Sequence, residues 1–187
     1  MERLPQNTAL LLIDIQQGMD DPGWAGTRNN PGAEANAAAL LARWRASGRP
    51  VIHVQHASKL KTSPLRADLP GHKIKDIVAP AATESVFVKQ ENSAFIGTNL
   101  EAHLRERGIL TLVLCGLTTP HCVSSTTRMA GNLGFRCYLA GDAAAAFPAR
   151  DHLGMAYDAE TVHAVSLATL HGEFATVVDT KDILAAT

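Results

Sequence analysis

The sequence predicts a three-layer α/β/α fold around a parallel six-stranded sheet, and two observations lead to this prediction. Six short runs are rich in β-branched and aliphatic residues and are typical of strands: 8–15, 50–56, 85–89, 110–115, 135–140 and 175–179. Several of these runs are apolar along nearly their whole length, which favours parallel strands buried on both faces. Helical patterns separate the runs, so helices are expected on both faces of the sheet.

Four helices are predicted between the strands, at 33–47, 99–107, 121–132 and 160–171. The first is rich in alanine and stops at Gly48. The second follows Thr98 and Glu101, whose spacing fits a capping box. The third follows Pro120, and the fourth ends before Gly172.

The composition indicates one globular domain that covers residues 1–187. The chain is 46% hydrophobic, and its 17 Lys+Arg and 18 Asp+Glu leave a net charge of −1. Because no basic stripe and no apolar run of roughly 20 residues occurs, we expect neither a nucleic-acid partner nor a membrane partner. The N-terminus lacks the pattern of a signal peptide, and three cysteines without a CxxC pair suit the cytoplasm.

Three chemically capable side chains follow strands of the predicted sheet. Asp14 closes the first strand, Lys89 ends the third and Cys122 follows the fourth. Because open α/β sheets bind ligands beyond the carboxyl ends of their strands, we expect these side chains to converge. Asp14 interrupts an apolar run, and it is either a turn cap or a base held near a cation. Lys89 is either a solvated strand end or that cation.

Cys122 is the candidate nucleophile among the three cysteines. It is predicted to lie at a helix N-terminus, where the helix dipole and unpaired amides lower the pKa of a thiol and could hold an oxyanion. Cys115 and Cys137 fall inside strand patterns and are expected to pack in the core. The histidines are scattered, and His53 and His56 should point to opposite faces of a strand, so no metal site is predicted.

Four stretches of the sequence carry a family resemblance: LLLIDIQQGM, VFVKQENSAFIGTNLEAHLRERGI, LVLCGLTTPHCVSSTTRMAGNLGF and HAVSLATLHGEFATVV. Over nearly its whole length the chain resembles the isochorismatase-like cysteine hydrolases, which include nicotinamidases, N-carbamoylsarcosine amidases and streptothricin hydrolases. The resemblance implies this family's fold, a homo-oligomer (dimer or tetramer) and a catalytic triad of Asp14, Lys89 and Cys122. It also implies a cis peptide bond between Leu117 and Thr118, with the backbone amides of Thr118 and Cys122 forming an oxyanion hole.

Two departures from named members narrow the implied activity. Isochorismatases cleave a vinyl ether and lack the nucleophilic cysteine, so Cys122 favours hydrolysis of a C–N bond (amide, urea or carbamoyl type) through a thioester. Nicotinamidases carry an Asp-x-His metal element after the second strand, where this chain has Gln55 and Ala57. The resemblance therefore implies a hydrolase of a small molecule that uses no metal and no cofactor.

Five residues around the triad are predicted to face the substrate: Trp24, Arg28, His56, Phe95 and Thr119. Arg28 would bind a substrate carboxylate through a two-pronged contact, or else form a loop ion pair. Trp24 would wall the pocket or only anchor its loop, and Phe95 could belong to the core instead.

Three other functions stay open on the sequence alone. The first is a C–O hydrolase of the vinyl-ether type that uses Asp14 and Lys89 and leaves Cys122 idle. The second is a binding module that holds a small molecule without turnover. The third is a redox-sensing thiol at Cys122, although no resolving cysteine is evident nearby.

Overall fold

The computed structural model describes residues 1–21, 23 and 26–187 and contains eight strands within them. The strands are β1 (Ala9–Ile13), β2 (Val51–His56), β3 (Ser85–Lys89), β4 (Thr111–Leu117), β5 (Arg136–Ala145), β6 (Ala149–Arg150), β7 (Ala156–Tyr157) and β8 (Thr176–Val178). Six of them form one parallel sheet in the order β3-β2-β1-β4-β5-β8, which confirms the predicted sheet. β6 and β7 form a separate antiparallel hairpin that the sequence did not predict.

Among the described residues, five α-helices flank the sheet: α1 (Ala33–Ala46), α2 (Leu100–Glu106), α3 (Ser124–Asn132), α4 (Ala159–Ala168) and α5 (Thr180–Ala185). α5 was not predicted, since its six residues are too few to show a helical period. No helix in the described part of the chain is both long enough and apolar enough to cross a membrane.

The two faces of β1 build two separate parts of the core. Leu10 and Leu12 pack in a cluster with Trp44 of α1 and Ile183 of α5. The alternate residues, Leu11 and Ile13, lie in a second cluster that includes residues of α2 and α3. All five residues of β1 are buried, as expected for a central strand covered on both faces. The predicted three-layer arrangement is therefore confirmed.

The helix predicted at 99–107 corresponds to α2, but the capping box predicted at its start is wrong. α2 begins at Leu100, and its N-cap is Asn99, which makes no side-chain cap bond. The Thr98 hydroxyl instead donates to the Ala94 carbonyl at 2.6 Å and accepts from the Leu100 amide at 3.3 Å, so no capping box with Glu101 forms. The helix predicted at 121–132 is divided into a π-helical turn, Thr119–Val123, and α3.

The end of β1 has an unusual backbone that depends on a glycine of β4. Asp14 directly follows β1 with a φ of 51°, a left-handed conformation that is uncommon for residues other than glycine. Gly116 of β4 pairs with Ile13, the last residue of β1, and has a φ of 130°. A Cβ on Gly116 would lie 2.0 Å from the Ile13 carbonyl oxygen. Only glycine permits this close approach, which brings the end of β4 against the residue that precedes Asp14.

β5 is longer than its predicted span of 135–140, because its second half consists mainly of alanine, which gives no strand signal. Its register with β4 shifts between Leu114 and Gly116. Asp142, in the second half of β5, accepts bonds from the Thr180 amide at 2.8 Å and from the Thr180 hydroxyl at 2.7 Å. Asp142 therefore holds the start of α5.

Candidate active site

Three strands deliver the predicted triad to one edge of the sheet. Asp14 follows β1, Lys89 is the last residue of β3, and Cys122 lies in the turn after β4. β2 separates β3 from β1, so the long lysine side chain has to reach across it to meet the carboxylate. Asp14 is completely buried, and Lys89 and Cys122 are 1% and 8% exposed. The expected convergence is present in the structure.

The Lys89 ammonium group is the centre of the cluster. Its Nζ donates to Asp14 Oδ2 at 2.7 Å, to Cys122 Sγ at 3.2 Å and to His56 Nδ1 at 3.1 Å. A lysine has three hydrogens to donate, so these contacts account for all of them. Asp14 Oδ1 is buried without a hydrogen-bond partner among the described residues, so it can accept one more proton or hydrogen bond.

The protonation of Asp14 and Cys122 is coupled. Burial raises the pKa of the Asp14 carboxyl, although Lys89 and Cys122 act to lower it. Burial, together with the negative charge of Asp14, raises the pKa of the Cys122 thiol to about 12, against the lowering effect of Lys89. Next to one ammonium group, only one negative charge is stable, so the pair retains one proton at neutral pH.

The prediction of a lowered pKa for Cys122 was therefore wrong. It rested on a helix N-terminus, but the loss of hydration in the buried site and the neighbouring carboxylate outweigh the helix dipole. Cys115 and Cys137 are buried core residues as predicted, and burial also raises the pKa of each thiol to about 12. What distinguishes Cys122 is its contact with Lys89 and Asp14.

His56 is held in the cluster as a neutral ring. Burial, together with the positive charge of Lys89, lowers the pKa of His56 to about 4. Its Nδ1 can then accept the bond from Lys89, which leaves the proton on Nε2. Its backbone is fixed by the buried Gln16 side chain, whose Oε1 accepts from the His56 amide at 2.8 Å and whose Nε2 donates to the His56 carbonyl at 3.0 Å.

The ligand-type atoms of Asp14, His56 and Cys122 lie within 4.8 Å of one another, the one such cluster found in the described residues. The Lys89 Nζ contacts all three side chains, so a metal ion at their centre would have to displace a bound ammonium group. The donor set therefore fits a lysine better than a metal. His53 points elsewhere, with Nε2 2.9 Å from Glu84, as the strand alternation predicts.

The turn 117–123 carries Cys122, and a network of buried polar side chains holds this turn in place. The Leu117–Thr118 peptide bond is cis. Thr119, predicted to face the substrate, is fully buried, and its hydroxyl lies 2.8 Å from His163 Nδ1. The other ring nitrogen of His163 lies 3.2 Å from the Asn30 amide, which also donates to the Ala144 carbonyl at 2.8 Å. The Thr119 hydroxyl therefore helps to position the turn, and its contact with a substrate stays a prediction.

The remaining substrate-facing predictions have different outcomes. Arg28 forms an ion pair with Glu34, the alternative that the sequence left open, while its Nη1 is buried without a partner among the described residues. The Phe95 ring stacks on Phe135 with centroids 5.9 Å apart and packs against the core. Trp24 lies outside the described residues.

Asn92 follows the third strand and lies close to Cys122, although no role was predicted for it. Its Oδ1 is 3.9 Å from Cys122 Sγ, within reach of a weak bond from the thiol. The side chain is exposed, so it stands between the nucleophile and solvent. The only available signal was its position three residues after Lys89.

Comparisons with known proteins identify the family of this chain. The isochorismatase domain model matches residues 8–182. The uncharacterized isochorismatase family protein YrdC of Bacillus subtilis is 49% identical over 97% of this chain and 96% of its own. A maleamate amidohydrolase of Pseudomonas putida is 34% identical over 68% of this chain and 67% of its own. A solved isochorismatase-family structure from Chromobacterium violaceum superposes with a TM-score of 0.95 at 49% identity, covering 100% of this chain and 96% of that one.

The chain therefore belongs to the isochorismatase family of hydrolases. The resemblance drawn from the sequence is confirmed, and so is the family's α/β fold.

Proposed function

We propose that this protein is a cysteine-dependent amidohydrolase that cleaves a C–N bond of a small molecule. The observation that carries the proposal is the buried contact of Lys89 Nζ with both Asp14 Oδ2 and Cys122 Sγ, at 2.7 and 3.2 Å. This arrangement places a thiol, a proton acceptor and a cation in one cluster shielded from water, as covalent catalysis requires. The name of the maleamate amidohydrolase, a relative at 34% identity, describes the same class of reaction.

In the first half of the reaction, the Cys122 thiol gives its proton to Asp14, whose Oδ1 is free to receive it. Lys89 stabilises the thiolate, which attacks the amide carbonyl and forms the S–C bond. Asp14 then donates this proton to the departing amine as the C–N bond breaks. The products of this half are a thioester at Cys122 and the free amine.

The second half returns the enzyme to its starting state. Asp14, now a carboxylate, takes a proton from water, and the resulting hydroxide attacks the thioester carbonyl. The C–S bond breaks, the acid leaves, and the sulfur regains a proton from Asp14. In this scheme His56 contacts no reacting atom. Its Nδ1 accepts a hydrogen bond from Lys89 Nζ and thereby orients the ammonium group.

The backbone amides of Thr118 and Cys122 are proposed to bind the oxyanion that forms in both halves. These two residues lie at the beginning and near the end of the turn 117–123, close to the nucleophilic sulfur. Loss of one such donor typically costs about 2.7–4 kcal/mol in the barrier. We further propose that the reaction needs no cofactor, because Lys89 supplies the positive charge. The proposed location is the cytoplasm.

An ammonia-release screen over small amides, ureas and carbamoyl compounds tests the proposal. Cys122→Ala should abolish release, with a loss of at least about a thousandfold. Cys137→Ala is the matched control, because this buried cysteine has a similarly raised pKa but belongs to the core. Turnover by Cys122→Ala at a rate near that of the wild type would overturn the cysteine mechanism. Vinyl-ether hydrolysis that survives Cys122→Ala would instead favour the C–O hydrolase.

A further inference from the structure

A small cavity lies beside the turn 117–123 and takes no part in the triad. Its volume is about 220 Å³. Most of its lining is apolar: Pro120 of the turn, Phe147, Pro148 and Ala149 after β5, and Val162 of α4. An apolar cavity of about 150 Å³ is large enough to hold benzene, so this one can accept a branched alkyl group or a phenyl ring.

The two polar residues of the lining are already engaged with each other. They are Thr118 and His121, and Thr118 Oγ1 lies 3.1 Å from His121 Nδ1. The Thr118 carbonyl accepts from the amides of His121 and Val123, at 3.2 and 3.3 Å. With these groups paired, the cavity favours an apolar occupant over a charged one.

The cavity is lined by Thr118, Pro120 and His121 of the turn that carries the nucleophile. The strand order indicates which part of a bound substrate would lie on the side of the cavity. β4, which leads into the turn, lies between β1 and β5. Asp14 follows β1, so a departing amine that takes its proton from Asp14 leaves on that side. Phe147 and Ala149 follow β5 on the other side. The acyl group of the substrate would therefore point towards the cavity.

We propose that this cavity is the acyl subsite and that the substrates are amides of small apolar acids, branched or aromatic. This inference rests on the proposed amidohydrolase function. Each methylene that an apolar subsite buries contributes about 0.8 kcal/mol, which corresponds to about fourfold in kcat/KM. The series acetamide, propionamide and isovaleramide should therefore rise by about fourfold per added carbon, with phenylacetamide also above acetamide.

Ala149→Phe tests the assignment, because the new ring should fill the cavity from an exposed position on β6. In this variant the larger amides should fall to about the rate of acetamide. Ala156→Phe is the matched control, since Ala156 is an equally exposed alanine on β7 that does not line the cavity. It should keep the wild-type profile. A flat wild-type profile, or a steep profile that Ala149→Phe leaves unchanged, would overturn the subsite and leave the amidohydrolase function standing.

Binding of phenylacetamide, followed by thermal shift, separates failure of the subsite from failure of the reaction. If the wild type hydrolyses none of the amides but is stabilised by phenylacetamide, and Ala149→Phe loses that stabilisation, the subsite stands and the proposed reaction falls. If the wild type shows neither turnover nor stabilisation, both fall. If Ala149→Phe changes only the oligomeric state seen by light scattering, the cavity is a subunit contact and the subsite is overturned.

Discussion

At the scale of single residues, the site depends on one proton shared by Asp14 and Cys122 beside a fixed cation. The raised pKa of the Asp14 carboxyl and of the Cys122 thiol follows first from burial. The charge of Asp14 raises the pKa of Cys122 further, whereas the Cys122 thiol acts to lower the pKa of Asp14. Lys89 offsets this cost by contacting both. The proposed mechanism therefore requires no resting thiolate, because in it the proton moves to Asp14 as the sulfur attacks.

Asp14→Asn separates the reactivity of the thiol from catalysis. Removing the carboxylate removes an influence that raises the pKa of Cys122 and leaves Lys89, which lowers it. The pH midpoint for alkylation of Cys122 should therefore be lower in Asp14→Asn than in the wild type. Amide hydrolysis should fall by about 10²–10⁴-fold, since the proton donor for the amine is lost.

Alkylation of each cysteine is followed by peptide mass spectrometry as a function of pH, with Cys115 and Cys137 as internal controls. Their midpoints should not change in Asp14→Asn. An unchanged or higher midpoint for Cys122 in the variant would contradict the coupling between the two groups.

At the scale of elements, the Glu84 side chain connects α1 and β2. Glu84 directly precedes β3 in the chain. Its carboxylate accepts from Arg45 of α1 at 2.7 and 2.8 Å and from the Ala81 amide at 2.8 Å, and it lies 2.9 Å from His53 of β2. Bonds from Arg45 are the largest influence that lowers the pKa of Glu84, from 4.5 to about 2. A lowered pKa means that this stabilisation is complete above about pH 4.5 and is lost as the pH falls towards 2.

Glu84→Gln should lower the free energy of unfolding at pH 7 by about 1.5–3 kcal/mol, the usual scale for hydrogen bonds to a charged group. The difference from the wild type should shrink as the pH falls from 4.5 to 2 in thermal unfolding experiments. Glu101→Gln is the control, since its exposed pair with Arg105 is worth only about 0.3–0.5 kcal/mol. A difference that stays constant down to pH 2 would show that the carboxylate charge is not the source of the stabilisation.

The strands could be predicted from the sequence because each leaves a local signal, whereas the triad as a set came from the family resemblance. An apolar run marks a buried strand, and Asp14 is conspicuous because it interrupts one. The partners of Arg28 and Thr119 left no such signal. The Thr119 hydroxyl meets His163, 44 positions away, only because the turn 117–123 packs against α4. The pKa of Cys122 also depends on burial, which a helix start in the sequence does not reveal.

At the scale of the whole molecule, the parallel sheet brings chemistry from distant parts of the chain to one edge. Asp14 and Lys89 are 75 positions apart, and the strand order β3-β2-β1-β4 places them on either side of β2. The homo-oligomer stays a prediction. Such an assembly could cover Leu153 and Met155, which are 81% and 61% exposed near the tip of the β6–β7 hairpin.

The central claim is that Cys122 forms a thioester with the acyl group of its substrate. The most direct test is an acid quench during turnover of an amide found by the ammonia-release screen, followed by intact-mass and peptide analysis. The expected result is a mass increase equal to the acyl group on Cys122, absent in Cys122→Ala but present in Cys137→Ala. Amide turnover at full rate with an acyl group on another residue, or with Cys122 replaced by alanine, would contradict it.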